Sequence, residues 1–102
     1  MSRVKKAILS DDHAMALADL FRLLGDSSRL RIVVACLRTP LAVSQIAERL
    51  GLSVSLVSHH LRLLKGARLV RAERQGKQVF YVAEDEHVRR MIEDMIAHVA
   101  EQ

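Results

Sequence analysis

Along this chain, apolar residues recur at helical spacing in five stretches, and in one place the period changes. Ala16, Leu17, Leu20, Phe21 and Leu24 share a face, which predicts a first helix over about 12–24, ended by Gly25. The segment "DSSRLRIVVACLR" opens with three good capping residues and continues as an apolar helix to about Arg38. Pro40, the only proline, marks the break after it. Val43, Ile46, Ala47 and Leu50 then repeat at i, i+3, i+4 and i+7, a short helix that Gly51 can stop in the left-handed conformation. Ser53 can cap a further helix running to about Lys65, with Gly66 as its stop. Two short helices joined by a three-residue turn containing glycine make a helix-turn-helix.

In "RLVRAERQGKQVFYVA" the pattern turns to strands. Leu69 and Val70 lead one, Val79 to Val82 form the other, and Gln75-Gly76 supplies the hairpin turn. A helix-turn-helix followed by such a hairpin predicts a mainly α fold with a β-hairpin wing, a winged helix-turn-helix. A final helix, about Glu86 to Ala100, stands outside that unit. Residues 1–10 are basic and expected to be mobile.

Length and composition narrow the class. A chain of 102 residues, half of them hydrophobic, suits a single globular domain with a modest core. With only Phe21, Phe80 and Tyr81 aromatic, that core must be mainly aliphatic. Lys and Arg outnumber Asp and Glu by 16 to 12, an excess that suits a polyanionic partner. The longest apolar run, Ile32 to Leu37, cannot span a bilayer, and "MSRVKKAIL" does not read as a signal peptide. One cysteine, Cys36, allows no intramolecular disulfide and fits a reducing cytoplasm.

On a helical wheel the second helix of the helix-turn-helix divides sharply. Leu56, Val57, Leu61, Leu63 and Leu64 fall on one broad arc, and Ser55, Ser58, His59, Arg62 and Lys65 on the other. Small hydroxyls and an imidazole can enter a major groove and bond base edges or phosphates, while Arg62 and Lys65 suit phosphates. The same face also fits an ordinary solvated helix. Arg71, Arg74 and Lys77 on the hairpin favour the DNA reading, because a cationic wing can grip the backbone beside the groove. His60 projects toward the apolar arc and reads as a packed, hydrogen-bonded core histidine.

Three blocks of the chain carry a family resemblance. "LGDSSRLRIVVACL", "VSQIAERLGLSVSLVSHHLRLLKGARLV" and "RQGKQVFYVAEDEHV" resemble successive segments of the ArsR/SmtB transcriptional repressors, over nearly everything from about Leu17 to Glu101. The resemblance implies a homodimer built largely from the first and last helices. It also implies that Ser55, Ser58 and His59 face double-stranded operator DNA.

The last helix, "EDEHVRRMIEDMIAHVAEQ" with its lead-in, holds His87 and His98 beside an apolar stripe of Val88, Met91, Ile92, Met95 and Val99. Eleven residues apart, the two histidines point the same way but lie roughly 16 Å apart along the axis, too far for one ion. An antiparallel second copy would bring His98 and Glu101 of one subunit beside Asp85 and His87 of the other, giving two equivalent sites. Surface histidines are also common, and Asp94 could simply pair with His98 at i, i+4. The resemblance decides between these: Asp85, His87, His98 and Glu101 stand where the zinc-sensing branch of the family has its ligands. It implies release from DNA on binding Zn(II), which derepresses genes for metal efflux or sequestration. By the same analogy His98 would signal to the backbone near Arg68.

Two imidazoles and two carboxylates suit tetrahedral Zn(II), with Co(II) able to occupy the same set. Ni(II) would want further ligands, which Asp11, Asp12 and His13 could supply in a Ni(II)/Co(II) sensor, though these residues more naturally open the first helix. The thiolate sensors of the family carry cysteines where this chain has "LAVSQIAERL", so soft-metal sensing is not expected. A non-sensing dimeric DNA-binding repressor is the remaining alternative. No nucleophile–base pair, phosphate loop or cofactor fingerprint suggests an enzyme.

Overall fold

The computed structural model describes residues 8–102. The expected mobility of residues 1–10 therefore falls mostly outside the described residues. Helix α1 spans Asp11–Leu24, α2 Ser27–Ala35, strand β1 Leu41–Ala42, α3 Val43–Leu50 and α4 Val54–Gly66. Strands β2 (Val70–Gln75) and β3 (Gln78–Ala83) follow, and α5 (Glu86–Ala100) closes the chain. This is a winged helix-turn-helix, mainly helical, with α3 and α4 as the paired helices and β2–β3 as the wing.

The helix starts are set chemically. Ser10, Asp26, Ser53 and Asp85 each accept a backbone N–H from three residues on, satisfying donors that a first turn leaves unpaired. Helix α3 lacks such a residue; instead the Ala42 N–H donates to Gln45 Oε1 at 2.8 Å. Gly51 ends α3 in the left-handed conformation, φ 68°, which glycine adopts without steric cost.

Three boundaries differ from the sequence pattern. Helix α2 stops at Ala35, short of Arg38, because the Cys36 carbonyl leaves the helix to accept the Ala83 N–H at 3.1 Å. The chain then pairs Leu41 with Tyr81 and Ala42 with Phe80, adding β1 to the wing in the order β1-β3-β2. Two residues are too few to show a strand period. Gly66 does not end α4; it is helical, and Arg68 takes the left-handed turn at φ 61°. In the wing, Gln75 pairs with Gln78, so the turn residues are Gly76 and Lys77 rather than Gln75-Gly76.

The core is aliphatic, as the scarcity of aromatics requires. Ile32 and Val33 of α2, Ile46 of α3, Val57, Leu61 and Leu64 of α4, and Leu69 and Val70 leading into the wing are all buried. Helices α1 and α5 each place one buried residue in this core, Leu24 and Ile92, with Leu20, Leu23, Val88 and Met91 packed half-buried against it. Phe21, Met95, Ile96 and Val99 remain exposed. Together with Leu24, Leu30, Val34 and Met91, they line an open apolar groove of about 590 Å³.

Candidate DNA-reading face and ligand helix

Helix α4 is held by its buried face, and its outer face is largely free. Ser55, His59 and Arg62 are exposed and Ser58 half-buried, so the residues expected to read DNA lie on the face turned from the core. The buried arc is narrower than the wheel implied. Leu56 and Leu63 are 39% and 38% exposed, whereas His60 lies between Val57, Leu61 and Leu64 at 8% exposure. The wheel gives directions only, and the body covers the arc from His60 through Leu64 and Val57 to Leu61 while missing the edge that holds Leu56 and Leu63.

His60 is a core residue as expected, but its Nδ1 has no hydrogen-bond partner among the described residues, contrary to expectation. Burial pushes its pKa below the ordinary value; Asp26 opposes that shift, and Arg29 and His59 add to it. A buried imidazole of this kind is most stable neutral.

The three wing cations differ in their surroundings. Arg74 and Lys77 are exposed near the hairpin tip. Arg71 is engaged within the protein: its guanidinium bonds Glu73 Oε2 at 2.8 Å and donates to the carbonyls of Ala83 and Glu84. Glu73 is the i+2 neighbour on the same strand, but the Ala83 and Glu84 carbonyls left no sign in the sequence spacing, because they depend on the β2–β3 register.

On α5 the four candidate ligands fall into two pairs at opposite ends. Asp85 is the N-cap, with Oδ1 accepting the Val88 N–H at 3.1 Å. That bond, more than the nearby His87, holds the Asp85 carboxyl below the usual carboxylate range. His87 is 97% exposed, and its Nδ1 lies 3.7 Å from Asp85 Oδ1. This separation suits two groups that bind one ion through bonds of about 2 Å each. At the far end Glu101 is the C-cap residue, and His98 Nε2 lies 3.2 Å from Gln102 Nε2, not against Asp94. Among the described residues, no three potential metal ligands gather within one chain. Asp11, Asp12 and His13 occupy the first turn of α1, with the His13 N–H bonded to Ser10.

Charged contacts missed in the sequence fasten α5 to the body. Arg38, just past α2, makes a two-nitrogen contact with Glu93 at 2.6 and 2.8 Å and reaches Glu86 at 3.4 Å. These partners are 55 and 48 residues apart, beyond any local pattern. Cys36 is fully buried, its thiol pushed up to about 11 by burial.

A helix-turn-helix with an exposed polar reading face and a cationic wing defines a DNA-binding regulator. A sequence profile described as "Bacterial regulatory protein, arsR family" matches residues 26–72. A transcriptional repressor SmtB homolog from Synechocystis is 37% identical, over 97% of this chain and 75% of its own length. Among solved structures, the cadmium metal-sensor CmtR from Mycobacterium tuberculosis superposes with a TM-score of 0.69 at 42% identity, covering 78% of this chain and 82% of its own. A homodimeric winged helix-turn-helix DNA-binding domain from Mycobacterium bovis, a possible ArsR-family regulator, gives 0.78 at 29% identity, over 91% and 88%. The chain belongs to the ArsR family of bacterial regulatory proteins, and is a transcriptional regulator rather than an enzyme. Among the described residues, no helix is long and apolar enough to cross a membrane.

Proposed function

We propose that this protein is a cytoplasmic, homodimeric repressor that holds operator DNA when metal-free and releases it on binding Zn(II), derepressing genes for metal efflux or sequestration. The observation that carries the reading is the layout of α5. Its open apolar stripe runs between two exposed pairs, Asp85–His87 and His98–Glu101, one at each end. A partner helix packed antiparallel along the stripe would cover Met95, Ile96 and Val99. It would also oppose the two unlike pairs, so that each dimer has two N2O2 sites.

Asp85 and His87 of one protomer together with His98 and Glu101 of its partner would hold one ion, twice per dimer. An ion held there would cross-link the two α5 helices, a link that the side chains alone would not make. Two imidazoles and two carboxylates favour zinc over the soft metals. Cadmium, which the similar structure from M. tuberculosis senses by its description, prefers thiolate, and the one thiol here is buried and protonated at neutral pH.

On the DNA side, Ser55, Ser58 and His59 would meet the major groove, and Arg62, Arg74 and Lys77 the phosphates. Arg71 can add its charge to the same field while keeping its internal bonds. A dimer presents two α4 helices, and an inverted-repeat operator fits if they sit about one DNA turn apart. The domain reading of the whole chain, one winged-helix unit with dimerising helices at each end, belongs to this proposal.

Titration of metal-free protein with Co(II), followed by visible absorption, tests the site. Intense tetrahedral bands saturating at one metal per protomer, bleached by Zn(II) and missing in His98→Ala, are expected. Weak octahedral bands that need residues 11–13 would instead support a Ni(II)/Co(II) sensor. Absence of binding would leave α5 as a dimer helix of a non-sensing repressor.

A further inference from the structure

The junction between the wing and α5 is bonded on every side. Ala83 donates its N–H to the Cys36 carbonyl at 3.1 Å, and Glu84 donates to the Leu69 carbonyl at 3.0 Å. Their carbonyls are occupied too. Arg71 donates to both, and Arg89 reaches the Ala83 carbonyl at 3.5 Å. All four backbone polar groups of Ala83 and Glu84 therefore have protein partners, drawn from the end of α2, the start of the wing and α5.

This junction touches both functional ends of the molecule. The residue after Glu84 is Asp85, the cap of α5 and one of the candidate ligands. In the other direction, the Leu69 carbonyl that Glu84 engages belongs to the turn leaving α4. Leu69 itself donates to the Leu64 carbonyl at 2.9 Å, and Arg68 to the Lys65 carbonyl at 3.0 Å. Asp85 is thus separated from the last turn of the DNA-reading helix by two hydrogen bonds and a few covalent ones, all within one subunit. Arg71 is the side chain that makes this connection stiff. Glu73 fixes its guanidinium from one side at 2.8 and 3.2 Å, and the Ala83 and Glu84 carbonyls take it on the other.

We propose that Arg71 is the positioning residue that couples the Asp85–His87 end of α5 to the α4–wing turn, so that metal binding at Asp85 and His87 is felt by the DNA-reading helix of the same subunit. The proposal rests on the zinc-responsive reading above and adds a second route to the one through His98. A planar guanidinium can hold Glu73 and two carbonyls at once, whereas a lysine ammonium brings the charge without the fork. Position and charge can therefore be separated.

The experiment measures affinity for a DNA duplex selected from a random library by the metal-free protein, with and without saturating Zn(II), for wild type, Arg71→Lys, Arg71→Gln, Glu73→Gln and Arg74→Gln. The wild-type affinity ratio should lie within roughly 5- to 150-fold, the usual span of allosteric coupling. Arg71→Lys and Arg71→Gln should bring it close to one while still binding one Zn(II) per protomer. Glu73→Gln should lower it partway. Arg74→Gln removes the same charge from the wing, and should weaken DNA binding but leave the ratio unchanged. A wild-type ratio in Arg71→Lys would overturn the proposal, as would loss of zinc binding in both Arg71 variants. A wild-type protein that ignores Zn(II) would overturn the zinc-responsive reading and this proposal with it. Should Arg71→Gln fail to fold, Arg71→Lys and Glu73→Gln give the same readout.

Discussion

Met95→Glu places a carboxylate in the middle of the groove between α1 and α5, and the size of its effect can be worked from exposure. Met95 is 55% exposed in the protomer, so a partner helix would bury about half of it. Fully burying such a side chain contributes about 1.5–3 kcal/mol, and half of that is about 1 kcal/mol. Twofold symmetry counts the loss twice. Each new carboxylate must also give up hydration or hold the helices apart, at a cost of at least another ~1 kcal/mol each. Dimerisation should weaken by at least about 4 kcal/mol, roughly a thousandfold. Sedimentation equilibrium measures this directly, and Met95→Leu, which keeps the size and polarity, should dimerise like wild type. Because Met95 is exposed in the protomer, circular dichroism of the variant should remain native. A Met95→Glu protein that dimerises within tenfold of wild type would show that the groove is not the interface.

Acid should destabilise the metal-free protein through His60. Its folded pKa lies below the ordinary value, so above about pH 6.5 the ring is neutral in both states and the stability is fully present. As pH falls below that, the unfolded chain takes up a proton that the folded one resists, and stability drops until the folded group protonates too. Urea midpoints measured from about pH 8 to 5 should fall less in His60→Gln than in wild type, and parallel curves would refute the assignment. Arg68→Gly should raise the urea midpoint. Relief of the left-handed strain gains about 1–2 kcal/mol, which exceeds the roughly 0.5–1 kcal/mol entropic cost of glycine. A lower midpoint would mean that the Arg68 side chain contributes contacts of its own. Cys36, buried with its thiol pushed up to about 11, should resist iodoacetamide at neutral pH until the protein unfolds, and rapid labelling of native protein would contradict that burial.

The elements that carry function were legible because their signals are local. Ser53, Gly51 and the apolar spacing from Val43 to Leu64 fix the helix-turn-helix through caps and periodicity, and α5 shows its stripe in the same way. What the sequence concealed depends on contacts between distant segments. Strand β1 exists because β3 offers Leu41 and Ala42 an edge, and α2 ends early because Ala83 claims the Cys36 carbonyl. The left-handed residue after α4 is Arg68, not the nearby glycine, since the register of Leu69 against Leu64 fixes where the chain must turn. The candidate site was half legible for a related reason. One helix carries both candidate pairs but holds them at opposite ends, so the proposed four-ligand set would need a second chain to complete it.

The measurement closest to the central claim is operator affinity as a function of free Zn(II), read by fluorescence anisotropy on wild type and on His87→Ala and His98→Ala. Zn(II) should weaken wild-type binding by roughly 5- to 150-fold, DNA should weaken Zn(II) binding by the same factor, and both alanine variants should bind DNA regardless of metal. Wild-type affinity that does not change with Zn(II), or alanine variants that still respond, would contradict that claim.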